Sequence, residues 1–289
     1  MFLQLVLSGL ATGSLYAMAA LGLVLIYKTT HVMNFSQGEM AMFSTFFAFT
    51  LLNSYGLPYY GAFIGAIAFA AVLGFLVELA LMRPLREAPT LSPMIVTLGL
   101  IMIVNGVAGW FFGYNIHPFP RAVQGSVINV GGAVISPNSL FILCLSLFIM
   151  GLLFWFFKHT MQGLAIRATA QNASTARLMG VNISKVFSIT WMVAVGLGAT
   201  AGILVAPTTN ISLAMMGEVH LMSLTAAVMG GFTSFLGPVL GGLILGVLRN
   251  LVGAYISTKW AMAFTFSLII IILLVKPEGL FGKVQRKKV

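Results

Sequence analysis

Few side chains in this sequence could do chemistry, and they are gathered in a few places. The stretch Met33-Asn34-Phe35-Ser36-Gln37-Gly38-Glu39 sets two amides, a hydroxyl and a carboxylate just ahead of Met40, Ala41 and Met42, so Glu39 opens an apolar helix. A carboxylate in a first helical turn is favoured by the helix dipole at about 0.3–1 kcal/mol, which is reason enough for its position. The alternative is that Asn34, Gln37 and Glu39 line or gate the mouth of a polar path. A charge at the centre of a bilayer costs about 2.5–3.5 kcal/mol on the mild scales, so such a carboxylate belongs at the rim or beside a partner. Thr97 and Asn105 are polar positions inside another apolar run. They serve either as hydrogen-bonding glue between helices or as further lining of the same path.

The second gathering is Gly163-Leu-Ala-Ile-Arg167-Ala-Thr-Ala-Gln171-Asn172-Ala-Ser-Thr-Ala176-Arg177-Leu-Met-Gly180-Val-Asn182-Ile-Ser184-Lys185. Its alanines favour helix, Gly180 is a natural stop, and Ser184 is placed to cap whatever follows. The pattern predicts a short helix over 168–179. It is too short and too polar to hold itself in lipid. It either touches headgroup phosphates or docks on a soluble partner, with Arg167 and Arg177 as its charges.

Other chemistry lacks its residues. There is no G-x-x-x-x-G-K-[ST], so no P-loop. Gly196-Leu-Gly198-Ala-Thr-Ala201 matches a dinucleotide pattern by letter but lies within an apolar run, where helix packing explains it. His31, His117, His159 and His220 are scattered, no H-E-x-x-H or G-x-S-x-G occurs, and there is no Asp. Metal and hydrolytic sites are therefore not expected. Cys144 stands alone in an apolar run and reads as a small core residue.

The elements that must carry these groups are set by composition. Of 289 residues, 60% are apolar and 7% charged, against roughly 25% charged in soluble domains. The mean hydropathy is +1.04. This excludes a soluble enzyme, a disordered chain and a disulfide scaffold, and predicts an all-α, polytopic integral membrane protein. The net charge of +10 is spread thinly between apolar runs, which is a topology signal and not a nucleic-acid stripe. Apolar runs predict spans near 3–27, 38–53, 60–82, 92–112, 138–157, 186–206, 221–236, 238–255 and 260–275. Gly230-Gly231 and Gly237-Pro238 break the 221–255 stretch, which either crosses as two short helices or re-enters. The total is eight to nine transmembrane helices in a single domain over 1–289. The first run has no charge before Lys28 and reads as a retained helix and not a signal peptide. Basic residues place 83–89, 158–185 and the tail 276–289 in the cytoplasm, with 113–137 and the N-terminus outside. Glu218 and His220 fall on the outer side, in a solvated loop or against a soluble protein. Arg249, deep in its run, either snorkels or pairs with an acid such as Glu218. Small residues spaced by four at Gly9/Gly13, Gly61/Gly65, Gly109/Gly113, Gly198/Gly202, Gly237/Gly241 and Gly242/Gly246 predict close helix contacts, about half of them real.

The chain resembles the smaller, H-type permeases of ABC importers for branched-chain amino acids. The likeness runs through Gly13-Ser14-Leu15-Tyr16-Ala17, Asn34-Phe35 with Gly38-Glu39, Val96-Thr97-Leu98-Gly99, Arg167 to Asn172 with Ala176 and Gly180-Val181-Asn182, and Gly230-Gly231-Phe232 before Gly237-Pro238. It ends in Pro277-Glu278-Gly279-Leu280-Phe281-Gly282. The resemblance implies half of an inner-membrane pore, multi-pass, paired with a second permease subunit. It implies two cytosolic ATPase subunits docked on the 167–182 segment and an extracytoplasmic substrate-binding protein. ATP and Mg would be bound by those ATPases, with no cofactor in this chain and no enzyme activity of its own. The acid of the general E-A-A docking triplet is absent, since Ser174-Thr175-Ala176 stands there, and Gln37 replaces a usual histidine. Urea or short-amide permeases of the same type are an alternative, less favoured because those relatives often carry a long N-terminal domain. A stand-alone secondary transporter or channel is another, set against the scarcity of acids in the spans.

Overall fold

The computed structural model describes residues 1–130, 133–276 and 278–282. Pro277 and the basic tail from Lys283 onward, including Arg286, Lys287 and Lys288, lie outside the described residues. The helices are α1 (Phe2–Thr30), α2 (Gln37–Asn53), α3 (Tyr59–Val77) continued by a π-helical turn (Glu78–Met82), α4 (Leu91–Phe112), α5 (Pro137–His159), α6 (Met161–Gln171), α7 (Ala173–Leu178), α8 (Ile183–Thr209), α9 (Gly217–Gly230), α10 (Leu236–Tyr255) and α11 (Ala261–Val275). The one named strand pair among the described residues is a small antiparallel hairpin, β1 (Ile128–Val130) with β2 (Ala133–Ile135).

Among the described residues six helices are long and apolar enough to cross a membrane: α1, α3 with its π-turn, α4, α5, α8 and α10. The others are shorter, with 17, 14 and 15 residues in α2, α9 and α11. At 1.5 Å per residue α9 rises about 21 Å, less than the ~30 Å hydrocarbon layer. The apolar run predicted for 221–236 stops early because Gly231 takes φ 91° and ends the helix.

The chain forms two compact units. One holds Leu25–Pro120 and Phe148–Val219. Its centre is α8, buried along most of its length, with α2 and α3 packed on it and α4 on α2. Gly198 and Gly202 let α2 lie close: a Cβ at Gly202 would be 2.6 Å from Thr45 Oγ1. Phenylalanines fill the layer between α2 and its neighbours, with Phe46 stacked on Phe112 at 4.8 Å and Phe47 on Phe69 at 4.3 Å. A backbone bridge between His117 and Ile211 ties the segment after α4 to the segment after α8. Met102 and Trp110 of α4 stay exposed.

The other unit joins Met1–Val24, Arg121–Leu147 and the chain from His220 onward. Here α1 and α10 meet backbone to backbone. A Cβ at Gly9 would lie 2.7 Å from Val247 Cα, and one at Gly13 would lie 2.7 Å from Gly242 O. That approach lets Arg249 donate to the Tyr16 hydroxyl, and Asn250 Nδ2 donate to Ser8 Oγ at 2.9 Å. Arg249 thus finds a phenol on α1. The break after α9 is closed by main chain: Leu280 N donates to Met229 O (2.8 Å) and Phe281 N to Gly230 O (3.3 Å). Phe232, Phe235 and Leu280 then pack against Ala226, Ala227 and Met229. Of the spaced glycines, those on α1, α8 and α10 and Gly65 on α3 make interhelical contacts, whereas a Cβ at Gly113 would meet nothing within 4 Å. Cys144 corrects its expectation: it is exposed on α5 and not in the core. A polarisable, weakly polar thiol sits comfortably against apolar surroundings, so a run of apolar neighbours does not say which face it takes.

Candidate functional site

The five path candidates come together around the start of α2. Asn34 is buried, and its Oδ1 accepts from Ser36 N (3.2 Å) and Ser36 Oγ (2.7 Å), forming the turn that launches α2. Thr97 is also buried. Its hydroxyl lies 2.8 Å from Met94 O and 3.3 Å from Met33 O, and it accepts from Phe35 N at 3.4 Å. Thr97 therefore binds α4 to the Met33–Phe35 turn through main chain, while Asn34 holds that turn to Ser36 and directs its Nδ2 to Met40 Sδ at 4.0 Å. Gln37 is buried against Gly198 on α8. Glu39 and Asn105 remain half-buried, and Asn105 Nδ2 donates to Glu39 Oε2 at 3.1 Å. This is the arrangement a carboxylate in a span demands: a neutral amide partner across a helix interface, with part of the group left open. Residue types had marked both members, but not that they meet.

The connector differs from its expectation in two respects. The single helix over 168–179 is two helices, because Asn172 takes φ −159° and ψ 104°. It ends α6 and starts α7, its side chain accepting from Thr175 N at 2.9 Å. Asparagine favours such a cap over a helix interior, since its short amide competes for backbone donors. Thr160 caps α6 in the same way through Gly163 N at 3.0 Å. At the end of α7, Gly180 takes φ 85°, donating to Arg177 O while Val181 N reaches Ala176 O. That double closure is the Schellman arrangement, which favours glycine in the left-handed position. Ser184 is not the cap of α8: Asn182 is, through Lys185 N at 3.1 Å. Gln171, Asn172, Arg177, Gly180 and Asn182 are exposed, Arg167 is half-buried, and Ala176 is buried as the foot of α7. Leu178 and Met179 are 87% and 81% exposed, which makes an apolar knob beside Arg177 that residue patterning overlooked. The signal was present as two large apolar residues immediately before Gly180.

A third polar cluster escaped the sequence reading altogether. Glu78 is buried at the start of the π-turn, paired with Arg83 and Arg86. The turn is widened by a bond from Arg83 N to Glu78 O at 2.7 Å. Ser188 Oγ donates to Glu78 Oε2 (2.7 Å), and Arg86 Nη1 donates to Ser184 Oγ (2.6 Å). A cavity of about 230 Å³ adjoins this cluster and is also lined by Thr29, His31, Ala173 and Trp191. Among the described residues no group of three His, Cys, Asp or Glu could hold a metal. Gly196 to Ala201 lies inside buried α8, so its glycines serve packing and not a phosphate.

A bundle of apolar helices, one amide-held carboxylate between two of them, and a capped polar connector with an exposed knob define a multi-pass membrane protein of the permease class. Residues 5–273 match the family described as branched-chain amino acid transport system / permease component. The high-affinity branched-chain amino acid transport system permease protein LivH of Salmonella typhimurium (strain LT2) is 30% identical, the match covering 100% of this chain and 98% of that one. The corresponding protein BraD of Pseudomonas aeruginosa is 28% identical over the same shares. The probable branched-chain amino acid transport permease protein LivH of Methanocaldococcus jannaschii is 31% identical over 93% of this chain and 89% of its own. The chain belongs to the branched-chain amino acid transport system permease family.

Proposed function

We propose that this chain is a transmembrane subunit of an ATP-binding-cassette importer carrying branched-chain or other apolar amino acids across the bacterial inner membrane. The observation that carries the reading is the capped connector, an exposed two-helix handle leading straight into the buried central helix α8. It acts within an assembly. A second permease subunit completes the pore, two cytosolic ATPases bind ATP and Mg, and an extracytoplasmic binding protein delivers the amino acid. The ATPases grip the handle at Gln171, Asn172, Arg177, Gly180 and Asn182, with Arg167 behind them, Ala176 as its foot, and Leu178 and Met179 entering an apolar pocket. Their closure on ATP displaces α6 and α7, and α8 passes the displacement to the helices around it, in an alternating-access cycle. Glu39 and Asn105 offer the cargo transient polar contacts, while Asn34, Gln37 and Thr97 shape the wall.

The whole chain acts as one permease domain that crosses nine times, with the N-terminus outside and the C-terminus inside. The shorter α2, α9 and α11 join the six long helices in this count. What supports a crossing by α9 is that its last carbonyls are capped by residues 280–281, which follow α11. The loop 113–137 lies outside, and 158–185 with the tail 276–289 lies in the cytoplasm.

Co-purification and reconstitution test the proposal. The full complex in liposomes takes up branched-chain amino acids only with ATP inside and binding protein outside. Uptake by this chain alone on an ion gradient would refute the importer reading. Capture of urea or short amides by the partner binding protein, in place of amino acids, would move the cargo assignment.

A further inference from the structure

The structure assigns to Glu78 the role of a positioning residue that locks the first turns of α8 to the end of α3, so that displacement of the connector reaches the transport path and is not lost as slippage. The inference rests on the importer reading above and adds a joint which that reading does not contain.

The geometry is specific. Three segments converge on one buried carboxylate: the π-turn that supplies Glu78, the following Arg83–Thr90 segment that supplies Arg83 and Arg86, and the first two turns of α8 that supply Ser184 and Ser188. Ser184 and Ser188 are one helical turn apart on the same side of α8, and both face this cluster. Arg83 Nη2 adds a bond to Ser188 Oγ at 3.3 Å, and the Arg86 guanidinium lies 4.9 Å over the Phe187 ring. Ala173, the first residue of α7, borders the same cavity as Glu78 and Arg86, so handle and joint are neighbours.

Elsewhere α3 and α8 touch through small and apolar groups. At Gly74 an added Cβ would lie 2.7 Å from Trp191 O. Contacts of that kind tolerate sliding of one helix along another. Charge-assisted hydrogen bonds are directional and hold one register. A buried carboxylate left without its donors is strongly destabilised, so the three segments move together or the cluster breaks. A π-turn also recurs at functional irregularities in helices, and here it brings Glu78 and Arg83 onto a shared site that a regular α-helix would space differently. α2, which carries Glu39, packs on both α3 and α8, so the locked pair moves the path as one body.

The test uses the complete importer in proteoliposomes, measuring amino-acid uptake and ATP hydrolysis together. Ser188→Ala and Glu78→Gln are expected to co-purify with the ATPases and to keep binding-protein-stimulated hydrolysis. Uptake per ATP should fall about tenfold, the consequence of losing one charge-assisted hydrogen bond. Ser188→Thr, which keeps the hydroxyl, is expected to retain the wild-type ratio. If Glu78→Gln fails to assemble, the Ser188 pair decides alone. An unchanged ratio in Ser188→Ala, or a proportional loss of uptake and hydrolysis, would overturn the inference while leaving the importer reading intact. A wild-type complex without ATP-driven uptake would overturn the importer reading, and this inference with it.

Discussion

Replacing Gly13 by leucine tests the backbone contact between α1 and α10 directly. A Cβ at Gly13 would lie 2.7 Å from Gly242 O and 2.9 Å from Leu243 Cα, both main-chain atoms that cannot rotate away. Ordinary carbon contacts need about 3.5–4.0 Å, so the helices must part by roughly 1 Å before the rest of the side chain is placed. Overpacking of this kind costs about 1–3 kcal/mol. The separation also stretches the Arg249–Tyr16 and Asn250–Ser8 bonds, each worth about 0.6 kcal/mol in a membrane interior. The sum is about 2–4 kcal/mol. Thermal unfolding of the detergent-solubilised protein should show a clear drop in midpoint for Gly13→Leu and a smaller one for Gly13→Ala. Gly99→Leu is the control, since a Cβ there meets nothing within 4 Å. If Gly13→Leu is no less stable than Gly99→Leu, the close approach of α1 and α10 is wrong.

Three further outcomes are expected. Asn172→Ala removes the cap that separates α6 from α7, at about 1 kcal/mol, and lets the two fuse; ATPase co-purification should weaken severalfold, and unchanged recovery would deny Asn172 its part in the handle. Glu39→Gln keeps a hydrogen-bonding partner for Asn105 and should retain most uptake, whereas Glu39→Leu leaves the amide unpaired and should lower uptake about tenfold; equal uptake by both variants would remove this pair from the path. In a Cys144→Ser background, single cysteines at Ser126 and Leu178 should react with a membrane-impermeant thiol reagent from opposite faces of the membrane, and labelling from the same face would break the proposed topology.

Much of this fold could be read from residue order because a bilayer imposes one dominant rule, a long apolar run per crossing. The starts expected near 3, 38, 60, 92 and 138 fall within a residue of observed helix starts. The turn signals Gly180 and Gly230-Gly231 also stop helices where glycine predicts. Pairing was the part that stayed hidden. Glu78 is 110 residues away from Ser188 in sequence, and nothing in the letters says that an acid near the end of one span faces two serines at the start of another. The split at Asn172 was missed because alanine content favours continuous helix, and the competing cap is a local geometry that propensity does not weigh. Cys144 was misplaced because in lipid the outer face of a helix is as apolar as its inner face, so composition alone does not say inward or outward.

The closure of α9 by residues 280 and 281 has a bearing on biogenesis. While the ribosome is still making α10 and α11, the last two carbonyls of α9 have no peptide donors. Hydrocarbon supplies none, so that end must wait in the translocon or beside headgroup water until residues 280 and 281 emerge. Maturation of this part of the molecule therefore waits on residues 280 and 281, which are made after α10 and α11. Chains released prematurely before residue 280 should be recognised by quality-control proteases and not accumulate as partly working subunits.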